Sequence, residues 1–401
     1  MEVLILSCGT GGGHDSAGAA VAEEVKRRGH HAVMLNPYTL HSDQTADRIN
    51  RAYLFLAQKA PGMFGAVYGA GELYRRLPFR SPVYFANRAM VPVLRKYLEE
   101  HHVDVILTPH LFPAEILTNM KQEGFPTPAF IFIATDYSCI PFTEETDCDA
   151  YVIPSADLTE VFADYGLPRE RLYPLGIPVQ DRFRQGRGGA EARAEAQAEA
   201  RARLGLEPDR KYILAAGGSM GGGSIRRAVH ILMKEAAGRS DVGLIVICGN
   251  NRRLYEELSR EALPGMRVTG FTSDMVDYMK AADVFVTKPG GLSSTEAAAC
   301  GLPIVHVAAI PGCETHNARY FSSHGMSRVC RTTESGLRSV FGILDDRRLR
   351  EEMVRKQQEQ IHQDAAARIC SLAERMSLGR RGTVPEIEPE QAGGMKAALG
   401  R

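Results

Sequence analysis

An α/β fold of two Rossmann-like lobes facing a central cleft is predicted by three features of the sequence. Apolar runs of strand length alternate with helical patterns through the first half of the chain. The alternation restarts at "KYILAAGGSMGGG", residues 211–223, and runs to about residue 375. Each of the two sets opens with an apolar strand that runs into a glycine loop, so each has the layout of an open parallel sheet with a ligand crevice at its strand ends.

Within the first set the strand candidates are Val3–Ser7, His31–Leu35, Val103–Thr108, Ala129–Thr135 and Ala150–Ile153. Helical patterns follow at about 14–29, 46–60, 86–101, 112–123 and 155–165. "YPLGIPVQDRF" (Tyr173–Phe183) is dense in turn residues and reads as the joint between lobes. The alanine-rich, mixed-charge stretch after it reads as a solvated helix or a flexible insert. Strands of the second set are expected in "KYILAA", "VGLIVI", "MRVTGF", "ADVFVTK" and "LPIVHV", each followed by a helix. The domain expectation is therefore a first lobe over 1–178, a second over 179–375 and a flexible tail over 376–401.

Charge and cysteine usage exclude several classes. Lys plus Arg and Asp plus Glu both total 48, so no global basic field attracts nucleic acid. The eight cysteines form no C-x-x-C pair, which argues for reduced thiols and against a zinc site; no metal is expected. No apolar run reaches the ~18–20 residues of a membrane span, and with no charged stretch leading into a long apolar run, no leader peptide is expected.

The opening stretch "MEVLILSCGTGGGHDSAGAA" tests whether the first loop holds a nucleotide. In a G-x-G-x-x-G register from Gly9 the last glycine falls on His14, and from Gly11 it falls on Ser16. The acid that would hold a ribose after the second strand is replaced by Asn36-Pro37, and a Gly-Lys-Ser/Thr P-loop is absent. What remains is a glycine loop (Gly11, Gly12, Gly13) that presents His14 at a helix start. There the helix dipole favours a neutral imidazole able to accept a proton.

The stretch "ADVFVTKPGGLSSTEAAACGLPIV", residues 282–305, carries the strongest chemistry. A buried strand ends at Lys288, turns through Pro289-Gly290-Gly291 and enters a helix bearing Ser293, Ser294 and Thr295. Unpaired N–H groups at such a start form an anion site. Glu296, one turn in, offers two oxygens to two ribose hydroxyls, which points to a nucleotide rather than inorganic phosphate.

This stretch resembles the nucleotide-sugar signature of glycosyltransferase family 28. "GTGGGHDSAGAA" is similar to the loop of its lipid-glycosylating branch, the monogalactosyldiacylglycerol synthases and processive diacylglycerol β-glucosyltransferases. Also similar are "TDY" (Thr135–Tyr137), the "GIPV" joint, "AAGGSMGGG", "CGNN", "VTGFTSDMVDYMKAAD" and "IPGCETHNARYF", so the resemblance covers about residues 1–375. It implies a GT-B glycosyltransferase fold with a UDP-sugar bound by the second lobe. The implied donor contacts are Gly217, Gly218 and Ser219 on the loop, and Phe271, Thr272 and Met275 around uracil. Lys288, Gly290, Gly291 and Ser293 to Thr295 would face the diphosphate, Glu296 the ribose, and Glu314 and Asn317 the sugar hydroxyls. His14 is then the candidate base, with Asp136 as the other base or as its orienting group.

The implied reaction is an inverting, metal-independent transfer of a hexose from a UDP-sugar to a diacylglycerol-type lipid. The UDP-sugar is a substrate, so no cofactor is expected. Two departures bear on the substrates. Cys313 stands in "PGCE" where the family carries Pro-Gly-Gln-Glu, and "YSCIPF" (Tyr137–Phe142) follows Thr135-Asp136 where a histidine and a tryptophan are usual.

Between Leu73 and Leu98 there are six Arg or Lys residues, no Asp or Glu, and five aromatics: Tyr74, Phe79, Tyr84, Phe85 and Tyr97. With the apolar "APGMFGAVYGAGELY" before them, residues 60–98 are expected to meet an anionic membrane surface from the cytoplasmic side, without spanning it. The competing readings are a peptidoglycan-precursor N-acetylglucosaminyltransferase, a UDP-sugar epimerase, and a non-catalytic UDP-sugar-binding relative.

Overall fold

In the computed structural model the described residues are 1–9, 12–42, 61–75, 77, 79–184, 189–218, 223–307, 309 and 311–378. For 61–67 and 223–224 the description is of the backbone alone. The helix expected over 46–60 and most of the expected tail lie outside these residues.

The first lobe runs β1 (Glu2–Leu6), α1 (Gly13–Arg27), β2 (His31–Leu35), α2 (Pro61–Tyr74), α3 (Pro82–Arg88), α4 (Val91–Glu100), β3 (Val105–Thr108) and α5 (Leu111–Gln122). It continues with β4 (Ala129–Ile133), β5 (Ala150–Ile153), α6 (Thr159–Asp164) and β6 (Leu172–Pro174). Its six strands lie in the order β2-β1-β3-β4-β5-β6, all parallel.

The second lobe begins with α7 (Gly189–Leu204), then β7 (Lys211–Ala216), α8 (Gly223–Ala236), β8 (Val242–Ile247), α9 (Arg252–Arg260), β9 (Met266–Thr269) and α10 (Met275–Ala281). It ends with β10 (Val284–Thr287), α11 (Gly291–Ala299), β11 (Ile304–Val307), α12 (Cys313–Ser323), β12 (Ser327–Cys330), α13 (Glu334–Asp345), α14 (Arg347–Gln360) and α15 (Ala365–Ser377). The strand order is β12-β11-β10-β7-β8-β9, again parallel.

The central strands of both sheets are buried on two faces, which is why they read as continuous apolar runs: β8 "VGLIVI" is buried at every position. In each lobe the strand order reverses beside the first strand, between β1 and β3 in one and between β7 and β10 in the other. The crevice outside the carboxyl ends of such strands is the ligand position of open α/β sheets. Gly12, Gly13, Gly218 and the β10–α11 turn line it.

The structure departs from expectation in four places. Strands β6 and β12 appear where the sequence shows only short or mixed-polarity runs, because pairing with a neighbour compensates for weak local preference. The helix expected over 86–101 is two, broken at Ala89-Met90. The alanine-rich insert is helix α7, and it is more than a solvated spacer. Arg201 is buried, donates to the Ala281 and Pro208 carbonyls and pairs with Asp283 at 2.8 Å. Finally, α15 belongs to the first lobe. Ile369, Cys370, Leu372 and Ala373 pack into the core under β1, β3, β4 and β5. Arg28 reaches Glu374 at 3.0 Å and the Ala367 carbonyl at 2.7 Å. The lobe boundary near 375 therefore moves back to the segment between α14 and α15, where Gly176 (φ +95°) lets the joint pass close to His362. All eight cysteines are free thiols.

Candidate functional site

The two lobes enclose a cleft of about 550 Å³. On the second-lobe side the chain leaves β10 at Lys288 and turns into α11 with Gly290 as the residue before the helix. The Ser294 N–H closes the first helical bond on the Gly290 carbonyl, so the N–H groups just before it are the orphan donors of the helix start. Gly218 on the facing loop takes a left-handed conformation (φ +78°), and a Cβ there would lie 3.1 Å from the Lys288 side chain. The Lys288 ammonium pairs with Glu314 at 2.6 Å, both groups largely buried. Glu296 also faces the cleft. Burial pushes its carboxyl up to about 7, against the pull of the Arg182 guanidinium.

On the first-lobe side Gly12 (φ +80°) precedes α1 and aims His14 into the same cleft. His14 Nδ1 lies 2.7 Å from the Pro109 carbonyl, which fixes Nδ1 as the donor and leaves Nε2 with its lone pair. Burial lowers the imidazole pKa, while the negative charge of Asp136 works in the opposite direction. Desolvation, more than the helix dipole invoked from sequence, is the main reason the ring is neutral. His110 packs edge-on against it with ring centroids 4.6 Å apart. Asp136, at the end of the β4 strand segment, completes this wall.

The lobes touch across the cleft at close range. A Cβ on Gly291 would lie 2.0 Å from the Thr135 carbonyl oxygen, so only glycine allows α11 to meet the end of β4. Asn317 donates to Asp136 (2.7 Å) and to the Pro289 carbonyl (3.0 Å), and accepts from the Tyr137 N–H (2.7 Å). The Tyr137 hydroxyl meets Thr295 Oγ1 at 2.9 Å.

Of the residues expected at the site, His14, Asp136, Gly12, Gly13, Gly218, Phe271, Thr272, Met275, Lys288, Gly290, Gly291, Ser293, Glu296 and Glu314 line the cleft. Gly217 stands one residue behind the lining, and Gly11 and Ser219 lie outside the described residues. Three side chains correct the expectation. Ser294 is fully buried against His306 Nε2 (3.0 Å), and Thr295 donates to the Gly291 carbonyl (2.7 Å). Helical periodicity turns both away from the cleft. Asn317 is fully buried in the interlobe bonds just described.

The reading of sequence missed Arg182, which reaches the cleft from the joint and donates to the Ser273 carbonyl. Its signal was the "VQDRF" end of the joint, passed over as turn chemistry. Cys313 lines the cleft as its place in "PGCE" implies, and burial holds its thiol well above the ordinary range.

The expected membrane face is less basic in space than in sequence. Arg75 pairs with Glu72, Arg88 with Glu123 and Arg95 with Glu99, acids that flank the stretch or come from other elements. Tyr84 is buried and Tyr97 stacks on His101. Leu73, Leu77, Phe79 and Phe85 stay exposed, Leu73 and Phe79 at 68% and 69%. Among the described residues no helix is long and apolar enough to cross a membrane.

The chain is similar to known proteins over both lobes. Residues 14–179 match the Monogalactosyldiacylglycerol (MGDG) synthase family, and residues 212–369 match the Glycosyltransferase family 28 C-terminal domain. A processive diacylglycerol beta-glucosyltransferase of Bacillus licheniformis is 26% identical over 359 residues, 88% of this chain and 89% of the relative. The MurG structure from Acinetobacter baumannii aligns with a TM-score of 0.60 at 16% identity, over 93% of this chain and 99% of that one. The UDP-GlcNAc 2-epimerase of Neisseria meningitidis aligns with a TM-score of 0.63 at 12% identity, over 94% and 100%. The structural likenesses establish the GT-B fold, which transferases and epimerases share. With one matching domain on each lobe, the chain belongs to the glycosyltransferases that join an MGDG-synthase first domain to a family 28 C-terminal domain.

Proposed function

We propose that this protein is an inverting, metal-independent glycosyltransferase that moves a hexose from a UDP-sugar to a diacylglycerol-type lipid. The observation that carries the reading is the opposition of two unlike groups across one cleft: the α11 start with Lys288 on one wall, and neutral His14 on the other. The names of the relatives, processive diacylglycerol beta-glucosyltransferases, support the acceptor class.

In this reading the diphosphate lies against the α11 start and takes over the Lys288 ammonium from Glu314. Glu314 is then released toward the donor sugar, and Glu296 accepts from the ribose hydroxyls. The acceptor hydroxyl gives its proton to His14 Nε2 as its oxygen attacks the anomeric carbon. The bond from that carbon to the β-phosphate oxygen breaks, and UDP leaves with the electron pair. Helix N–H groups and the lysine meet its developing charge. One displacement inverts the anomeric centre. The exposed Leu73, Leu77, Phe79 and Phe85 supply a face for a bilayer, so the protein works as a peripheral protein on the cytoplasmic side of the membrane.

The test is UDP release from UDP-glucose, UDP-galactose and UDP-N-acetylglucosamine, with and without diacylglycerol in mixed micelles, and with EDTA. Lipid-dependent release with a β-linked hexosyl-lipid, unaffected by EDTA, supports the reading. Epimerised sugar formed without lipid, or donor binding without turnover, overturns it.

A further inference from the structure

The resemblance implies a sugar contact for Asn317, yet its polar atoms are committed within the protein. Asp136 and the Pro289 carbonyl can only accept and the Tyr137 N–H can only donate, so just one orientation of the amide satisfies all three. Two of these partners belong to the first lobe, and the third opens the turn that leads into the anion-binding start of α11. The side chain is fully buried, and the contact is walled by Tyr137 stacked on Tyr320 at 4.6 Å. A fully satisfied buried amide of this kind holds its partners in one arrangement.

We propose that Asn317 is a positioning residue, which reaches across the contact between the lobes and aims the Asp136 carboxylate at the reacting hydroxyl or at His14. When the lobes part, Asp136 loses its amide donor, the Tyr137 N–H loses its acceptor, and the turn before α11 loses its brace. Asn317 thus ties the anion loop to the acceptor side without touching the sugar.

This rests on the transferase reading above, and the experiment separates the two. The full chain is assayed for hexosyl transfer to diacylglycerol as wild type, Asn317→Ala, Asn317→Asp, Asp136→Asn and the Asp136→Asn/Asn317→Ala double variant. UDP binding serves as the folding control. Wild type that forms no hexosyl-lipid refutes the transferase reading itself. Given an active wild type, Asn317→Ala should lower kcat by about 10²-fold, as for a lost acid–base group. KM for the UDP-sugar should change by less than about threefold. In the Asp136→Asn background the same substitution should cost less than about threefold, because its partner is already altered. Asn317→Asp keeps the size and the acceptor for Tyr137 but sets a carboxylate against Asp136, so it should lose as much kcat. A raised KM for the UDP-sugar with unchanged UDP affinity would make Asn317 a sugar ligand and overturn the proposal. So would full additivity in the double variant, or wild-type kcat in Asn317→Asp.

Discussion

The two lobes share one topology and place opposite chemistry at the same point of it. Each has its switch point beside the first strand of a parallel sheet. At that point the first lobe places an imidazole and a carboxyl, His14 and Asp136, while the second places a helix start and an ammonium, the α11 start and Lys288. The lesson is that the sheet fixes where a ligand sits, and a few loop residues decide what it is. The sharpest way to break the comparison is His14→Ala. It should lower turnover by about 10²–10⁴-fold, with UDP affinity unchanged, because only the proton acceptor is lost. Since burial depresses the His14 pKa, the acid limb of the wild-type kcat/KM profile should fall below the ordinary imidazole value of 6.5. Intact turnover in the variant would leave His14 as a packing residue against His110.

The second lobe gives the matching test. Glu296→Ala should weaken UDP binding by about 10–100-fold, as expected for losing charge-assisted bonds worth ~1.5–3 kcal/mol. The His14 variant should bind UDP like wild type. Calorimetric titration of both variants with UDP reads the contrast directly. Equal affinities would remove Glu296 from the ribose and place the nucleotide elsewhere in the cleft.

Legibility of the site in the sequence follows the same division. The second-lobe turn was legible because its chemistry is local: Lys288, Gly290, Gly291 and Glu296 lie within nine residues on one strand–turn–helix. His14 was legible for the same reason, one helix start after one strand. The misreadings concern side chains whose partners are distant in sequence. Ser294 turns to His306, and Asn317 reaches back 181 residues to Asp136. Arg182 sits in a joint whose path nothing local specifies. The fold behaved alike: buried parallel strands announced themselves, while β6, β12 and the return of α15 to the first lobe depended on tertiary pairing.

A gentler contrast separates the inner and outer faces of the first lobe. Among the six basic residues of 73–98, Arg75, Arg88 and Arg95 are ion-paired with Glu72, Glu123 and Glu99, so bilayer attraction should come from apolar contact more than from charge. Replacing Leu73, Phe79 and Phe85 together by Ser should lower vesicle partitioning about tenfold, since interfacial contact recovers only part of the ~1.5–3 kcal/mol of full burial per side chain. UDP binding should be untouched. Partitioning that collapses in high salt but survives the triple substitution would return the interaction to the basic residues.

The smallest effect is the most specific, because it isolates the desolvation of one carboxyl in the second lobe. Glu296 is held up to about 7 when folded, against an ordinary value of 4.5. Below the ordinary value both folded and unfolded chains carry the proton and the group contributes nothing to pH dependence. Between the two values the unfolded chain releases the proton first, so stability falls as pH rises, and above about 7 the cost is constant. Glu296→Gln does not titrate there. Without nucleotide, the variant should match wild type near pH 4.5 and exceed it at pH 8 by on the order of 1–2 kcal/mol, read by denaturant unfolding at each pH. Saturating UDP should reverse the order at pH 8, since ribose hydroxyls stabilise the carboxylate and an amide oxygen accepts them less strongly. A variant that tracks wild type at both pH values would mean the carboxyl is well solvated. In that case the physical reason for placing a ribose beside it disappears.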